Sequence, residues 1–353
     1  MAIPSTHIES VSIPTSGPPV AQLAGFAHSL PAGRAETAEI EQRIAEASGR
    51  LPVPKGALGA VSGVRERRMV GHGEYSSTLA VAAARDAMAE AGFEAAEIDL
   101  LIFAATGQDQ IEPATAHIVA AELGVRGASV FDVKNACNSV VDGLRVAEAL
   151  MARGSTRRAL VVTGETPTIV ARYQITGVRG FRDAFLGYTV GDAGGAIALE
   201  PSDGHRGIFY HHVHSESEHW SISQVPGGGS RHPRGDEFSY AFGDGPRLRD
   251  AFRSVDADIG LRVFRETSTN RDDYALFLIH QVTAPLADEF VERLGLPRDR
   301  VMFTVAEHGN VAEASLPLGL SLARDAGRVS RGDRVLFFGL GAGLSVATLA
   351  FVL

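Results

Sequence analysis

Short uninterrupted apolar runs alternate with longer stretches of helical periodicity along most of this 353-residue chain, the pattern of a sheet covered on both faces. Leu100 to Ala105 is such a run and predicts a buried strand ending before Gly107. Ahead of it, Ser76 to Ala91 carries Leu79, Ala83 and Met88 on one side and stops at Gly92, as a helix does. Behind it, Thr115 to Leu123 predicts a helix and Val130 to Val133 a strand. After Cys137, the residues Val140, Val141, Leu144, Ala147 and Met151 recur at helical spacing until Gly154. This cysteine is therefore expected where a strand turns into a largely buried helix. Ala159 to Thr163 gives the next strand, and Gly191, Gly194 and Gly195 predict a turn that opens the run Ala196 to Leu199.

The pattern then restarts. Residues 257–267 predict a helix, Tyr274 to Ile279 a buried strand ending at His280, Pro285 to Leu294 a helix, and Leu316 to Ala326 a long helix. Val335 to Phe338 predicts a strand, Gly339, Gly341 and Gly343 a turn, and Val346 to Leu353 a last strand. Each half thus ends in strand, glycine turn, strand. The self-similarity predicts a duplicated α/β unit, with halves 1–205 and 206–353 packed as one layered structure.

Composition narrows the function. An apolar content of 45% supports one large core or two fused ones. The balance of 33 basic against 42 acidic residues, with no dense Lys/Arg block, excludes a nucleic-acid binder. No uncharged run approaches the ~18 residues of a membrane span, and the first twenty residues lack a leader's basic and apolar regions. The expectation is a soluble, cytoplasmic protein. One cysteine rules out an intrachain disulfide. A lone Cys with His and Asn elsewhere is either a nucleophile or an inert core residue.

A thiolate at a helix N-terminus feels the positive end of the peptide dipoles, which lowers the thiol pKa; Cys137 is expected in that setting. Acyl transfer also needs donors aimed at a developing oxyanion. The backbone of Cys137 and that of Ala342, in the turn Gly341-Ala342-Gly343, are candidates. GLGAG also resembles part of a dinucleotide fingerprint, but the ten residues after Gly343 are too few for a βαβ unit of ~30. His280 at a strand end and Asn310 in a polar loop each have a purely structural alternative.

Four segments taken together are more specific: FDVKNAC at 131–137, IHQVTAP at 279–285, EHGNVAEASLPLGLS at 307–321 and GLGAGLS at 339–345. In this order and at these separations they resemble the ketoacyl synthase III branch of the thiolase superfamily, over most of the chain from Gly63. Within it the likeness is greatest to OleA-type enzymes, which join two acyl thioesters head to head. The resemblance implies a five-layered αβαβα fold of two duplicated halves and a homodimer. It also implies an acyl-Cys137 intermediate in a Claisen-type condensation, with His280 and Asn310 donating to the second thioester's oxygen. Glu112, in Glu112-Pro113-Ala114-Thr115-Ala116, would be the base acting in the neighbouring subunit; as an isolated residue it is an ordinary loop carboxylate.

Substrates would be acyl-CoA or acyl-carrier-protein thioesters, with no permanently bound cofactor. Arg65, Arg67 and Arg68 would meet coenzyme A phosphates or form a solvated surface. His211, His212, His214 and His219, among Glu216 and Glu218, have spacing like metal ligands but no recognised pattern; a polar loop, and no metal, is the reading. Gly227 to Pro233 resembles a tunnel-entrance loop. Two departures stand out. Asn138-Ser139 puts a polar pair beside the nucleophile, which would narrow or wet an acyl pocket. Gln281-Val282-Thr283 lacks the Asn and Arg of fatty-acid-initiating synthases. The rival readings are a decarboxylative ketosynthase, acyl transfer to an oxygen or nitrogen nucleophile, and a non-catalytic partner subunit.

Overall fold

The computed structural model describes residues 18–353, so the leader reading lies, for residues 1–17, outside the described residues. A five-stranded sheet is built from β1 (Ala21–Ser29), β2 (Leu100–Ala104), β3 (Ser129–Val133), β4 (Ala159–Glu165) and β5 (Ala193–Pro201), in the order β1-β5-β4-β2-β3. A four-stranded sheet holds β6 (Gly207–Ser215), β7 (Leu276–Ile279), β8 (Arg334–Gly341) and β9 (Ser345–Val352), in the order β7-β8-β9-β6.

The two sheets match strand for strand. β3, β2 and β4 run parallel, and β5 and β1 follow antiparallel. In the second sheet β7 and β8 are parallel, with β9 and β6 antiparallel beyond them. The counterpart of β3 shrinks there to one parallel bridge between Phe277 and Val301.

Helices complete the layers: α1 (Ser76–Ala91), α2 (Thr115–Leu123), α3 (Ser139–Ala152), α4 (Ala257–Glu266), α5 (Ala284–Arg293) and α6 (Ser315–Asp325). α3 and α6 lie between the sheets, where Val140, Leu144, Leu316 and Leu320 share one core with Leu100, Ile102, Leu276 and Leu278. α1 and α2 cover the outer face of the first sheet through Ala80, Ala84, Ala116 and Val119. α4 and α5 cover that of the second through Val263, Ala287 and Val291. Strands β2, β4, β7 and β8 are therefore buried on both faces, which is why they read as unbroken apolar runs. No described helix is long and apolar enough to cross a membrane.

The glycine pattern needs correction. β8 and β9 do form a tight hairpin closed by Gly341 opposite Ser345. Gly194 and Gly195, however, lie inside β5, and residues 166–192, including a helix at Gly177–Ala184, separate β4 from β5. Their glycines answer to packing: a Cβ on Gly194 would sit 2.3 Å from the Leu79 carbonyl oxygen, and one on Gly195 2.3 Å from Pro317. Helices press on β5 from both faces. The hydrophobic pattern also missed β1, whose Ala and Gly residues give weak strand propensity. A helix at Thr37–Ser48, buried mainly through Ile40 and Ile44, was missed too.

Candidate active site

Cys137 sits between β3 and α3, where Ala136 adopts φ 45° and Asn135 bridges to Cys137. The cysteine is half-buried and free. Asn138 follows it fully buried, its Nδ2 donating to Ser345 Oγ at 2.7 Å and to the Ser345 carbonyl at 3.2 Å. Gly339 and Gly341 make this possible, since a Cβ there would lie 1.9 Å from Asn138 Oδ1 and 2.9 Å from Nδ2. Ser139 Oγ accepts from the Asn135 N–H and donates to the Ala136 carbonyl. The polar pair after Cys137 is therefore turned into the protein, Asn138 tying the cysteine loop to the β8–β9 hairpin. The expectation that it wets an acyl pocket does not fit this geometry.

The same hairpin directs the Ala342 backbone N–H at the Cys137 sulfur. That contact favours the thiolate, yet burial outweighs it and pushes the thiol pKa well up, with the carboxyls of Glu313 and Glu165 adding to the rise. The expected helix-dipole activation is thus reversed. Glu313 adds to the effect of burial, its Oε2 accepting from the Val140 N–H at 2.7 Å and also engaging the Ser139 N–H. The Val140 N–H of the first α3 turn is thus occupied by a buried carboxyl, and the Ser139 N–H is shared between it and the Ala136 carbonyl.

His280 follows the end of β7, 2% exposed, its backbone N–H donating to the Phe338 carbonyl. Its Nδ1 lies 3.0 Å from Ser315 Oγ, and Ser315 Oγ in turn donates to the Ala312 carbonyl at 2.5 Å. With the hydroxyl hydrogen so committed, Nδ1 carries the proton and Nε2 presents a lone pair. Nε2 is buried without a hydrogen-bond partner among the described residues. Burial lowers the imidazole pKa to about 4, against a smaller raising effect of the Ala312 carbonyl.

Asn310 is fixed by its backbone, which bonds to Thr189 and Gly191, and by Oδ1, which accepts from the Ala312 N–H at 3.0 Å. Its Nδ2 donors have no partner among the described residues. The segment 310–315 is the common neighbour of the whole arrangement: Asn310 and Ala312 orient each other, Ser315 holds His280, and Glu313 reaches α3 beside Cys137. Sequence reading passed over Glu313 and Ser315. A glutamate inside the apolar stretch 311–320 was the available signal, since an acid there must be buried with partners.

Other expectations fare differently. Glu112 is exposed on the loop between β2 and α2, and the structure does not bring it to Cys137 within one chain. Arg65 is exposed and paired with Glu307 at 2.6 Å. Arg67 is 1% exposed and donates to Thr37 Oγ1 and the Tyr188 carbonyl, so it braces the interior and cannot meet a phosphate in solvent. Arg68 donates to the Pro31 and Ala32 carbonyls. Alternation along β6 splits the histidines: His211 faces Arg145 and Glu148 on α3, while His212 feels Arg262 and Glu266 on α4. Glu216, Glu218 and His219 do gather within 4.8 Å, with His219 Nε2 3.8 Å from Glu216 Oε2. A cavity of ≈ 460 Å³ opens beside Val282, two residues past His280, lined mainly by apolar groups including Val61, Phe181, Leu248 and Leu286. Arg182 and Arg249 line it too.

Two sheets of matching topology around a central pair of helices, with a cysteine at the head of one and a histidine braced by the other, define a thiolase-type condensing fold. Residues 131–217 match the model of 3-oxoacyl-[acyl-carrier-protein] synthase III, and residues 264–353 match its C-terminal model. A beta-ketoacyl-[acyl-carrier-protein] synthase III of Roseiflexus sp. is 33% identical over 293 residues, covering 81% of this chain and 86% of the relative. That of Rhodospirillum rubrum is 32% identical over 336 residues, covering 92% and 96%. The chain belongs to the ketoacyl synthase III family, an acyl-transferring group of the thiolase superfamily. Among solved structures, a cysteine-to-serine variant of Xanthomonas campestris OleA with bound lauric acid and lauroyl-CoA superposes with TM-score 0.86 at 28% identity, covering 95% of this chain and 99% of that one. A histidine-to-alanine variant of the same OleA gives 0.85 at 27% identity, covering 95% and 98%.

Proposed function

We propose that this enzyme condenses two acyl thioesters through an acyl-Cys137 intermediate. The observation that carries the reading is the convergence of a half-buried Cys137, the Ala342 N–H aimed at its sulfur, and the 310–315 segment that orients His280 and Asn310. The Cys137 sulfur attacks the first thioester carbonyl, the backbone N–H groups of Cys137 and Ala342 hold the oxyanion, and the carrier thiol leaves with a proton. The second thioester then loses an α-proton, its oxygen held by Asn310 Nδ2 and by His280 once Nε2 bears a proton. Its carbanion attacks the acyl group and expels Cys137, giving a β-ketoacyl thioester.

A base for that α-proton is needed when no carbon dioxide leaves. We assign Glu112 of a second copy. Two features support this: β3 is a sheet edge paired only to β2 among the described strands, and the Glu112 loop leads into α2, whose first N–H groups donate to Asp132 on that edge. A copy joined along β3 meets the Glu112 loop. The homodimer, the halves 1–205 and 206–353, a cytoplasmic location and the absence of a resident cofactor belong to the same proposal. The cavity beside Val282 is assigned to the incoming thioester, with Arg182 and Arg249 placed for an anionic carrier; this replaces Arg67 and leaves Arg65 a lesser role.

The test is a panel of acyl-CoA thioesters, lauroyl-CoA among them, given to the purified protein. Acylation of Cys137 by mass spectrometry together with a condensed product is expected, and no adduct at any chain length would sink the proposal. A second reading is decarboxylative condensation with a malonyl thioester, in which loss of carbon dioxide makes the carbanion and no base is needed; similarity to beta-ketoacyl-[acyl-carrier-protein] synthase III proteins supports a ketoacyl product in either case. Malonyl turnover that survives Glu112→Ala would select the second reading.

A further inference from the structure

The first turn of α3 carries a group that the proposed reaction does not use. Glu313 is 1% exposed. Its Oε2 accepts from the Val140 N–H at 2.7 Å and engages the Ser139 N–H, while Oε1 has no hydrogen-bond partner among the described residues. These N–H groups open the helix that begins two residues after Cys137, and such groups carry a helix's partial positive charge. A thiolate at half-buried Cys137 and a carboxylate at buried Glu313 therefore draw on the same donors, and water screens the carboxylate little.

The other charged groups facing this pair are otherwise engaged. Glu165, at the end of β4, accepts from the Thr106 N–H and hydroxyl and feels Lys134. Asp142 on α3 pairs with Arg145 and accepts from Asn135 Nδ2. His280, beyond β7, is held by Ser315. Among the described residues, Glu313 alone has one oxygen on the donors of the α3 start and the other without a partner.

We infer that Glu313 is a positioning residue that keeps Cys137 a thiol in the resting enzyme, the two groups sharing a single negative charge at the start of α3. Charge moves to sulfur only when the Glu313 carboxyl holds the proton: an S–H bond breaks, an O–H bond forms at Glu313, and net charge is unchanged. The inference rests on Cys137 as the nucleophile of the proposed function. Its test reads thiol ionisation directly, so loss of condensation activity alone leaves it standing.

Because the chain has one cysteine, iodoacetamide reports on Cys137 alone. The rate of alkylation of the full-length wild type is measured against pH. Two coupled acids give a logarithmic rate that rises, levels and rises again, whereas an isolated thiol gives one rise. The expected wild-type profile is stepped. Glu313→Gln is expected to collapse it to one rise and to speed alkylation at pH 7 by about tenfold, the effect of one pKa unit. Glu165→Gln is expected to keep the step. A single rise in the wild type overturns the inference, as does a step that persists in Glu313→Gln. If Glu313→Gln does not fold, a step lost in Glu165→Gln overturns it by assigning the coupling to Glu165, and a step retained there supports it.

Discussion

The two central helices occupy equivalent places in the duplicated scaffold, yet their N-termini are put to opposite uses. At the start of α3 a cysteine meets donors already taken by a carboxyl. At the start of α6, Ser315 turns its hydroxyl outward to brace an imidazole arriving from β7. Duplication supplied two buried helix ends; in the proposed reaction one seats the nucleophile and the other supports its proton-handling partner. The difference teaches that a helix N-terminus is not by itself an activated site. What fills its donors decides.

The sharpest way to break this division is to remove the imidazole. His280→Ala is expected to slow turnover of two acyl thioesters about a hundredfold, in the range of a lost acid–base group. Acylation of Cys137 by a single acyl-CoA should persist, because Ala342 and the cysteine loop are untouched. Rapid-quench mass spectrometry separates the steps; an abolished adduct in a folded His280→Ala protein would show that both helix ends serve the first step.

A second contrast concerns how each end is anchored. The α3 end depends on Asn138 fitting under two glycines of β8, whereas the α6 end is held by hydrogen bonds within its own segment. Gly339→Ala is expected to destabilise the fold by about 1–3 kcal/mol, the usual cost of overpacking a filled interior. The clash partner is one side chain, 1.9 Å from the added Cβ. Combining Gly339→Ala with Asn138→Ala should therefore recover part of the loss in chemical denaturation. Strict additivity would mean that the glycine serves something other than Asn138.

Burial acts on both halves with opposite sign. Glu165 is raised from 4.5 to about 7, and His280 is lowered from 6.5 to about 4, each chiefly by desolvation. A carboxyl with a raised folded pKa binds its proton more tightly when folded, so it costs stability as pH rises from 4.5 through 7. An imidazole with a lowered pKa costs stability as pH falls from 6.5 toward 4. Glu165→Gln should thus gain in melting temperature relative to the wild type on going from pH 5 to pH 8, and His280→Ala should gain on going from pH 7 to pH 5. Parallel curves for either variant would remove burial as the cause.

Much of this was legible in the chain. Strands buried on both faces announce themselves as apolar runs, and the histidine stood at the end of one, the cysteine between a strand and a helix, and the asparagine in a polar loop. What stayed hidden was tertiary. Gly194 and Gly195 read as a turn because sequence cannot distinguish a glycine needed for chain reversal from one needed for close packing. Arg67 read as a surface cation beside Arg65, although within the short strand Glu66–Met69 it turns inward between Glu66 and Arg68, while Arg65 lies ahead of the strand. Glu313 belongs to the same class: its carboxyl takes meaning only from the α3 donors, which come from a residue 173 positions away.

That contrast of neighbours supplies the mildest test. Arg65 pairs with Glu307, but the two side chains are 67% and 61% exposed, and an ion pair so open to solvent contributes little against its entropy and screening. Arg65→Ala should change stability by less than about 0.5 kcal/mol. Arg67, holding Thr37 and Tyr188 from the interior, has no such tolerance, since its loss leaves buried acceptors without their donor. Denaturant midpoints of the two alanine variants measure the gap directly. Equal losses would mean that the Arg65–Glu307 pair, which links the residue ahead of the Glu66–Met69 strand to the 305–308 turn ahead of Asn310, stabilises the site more than its exposure allows.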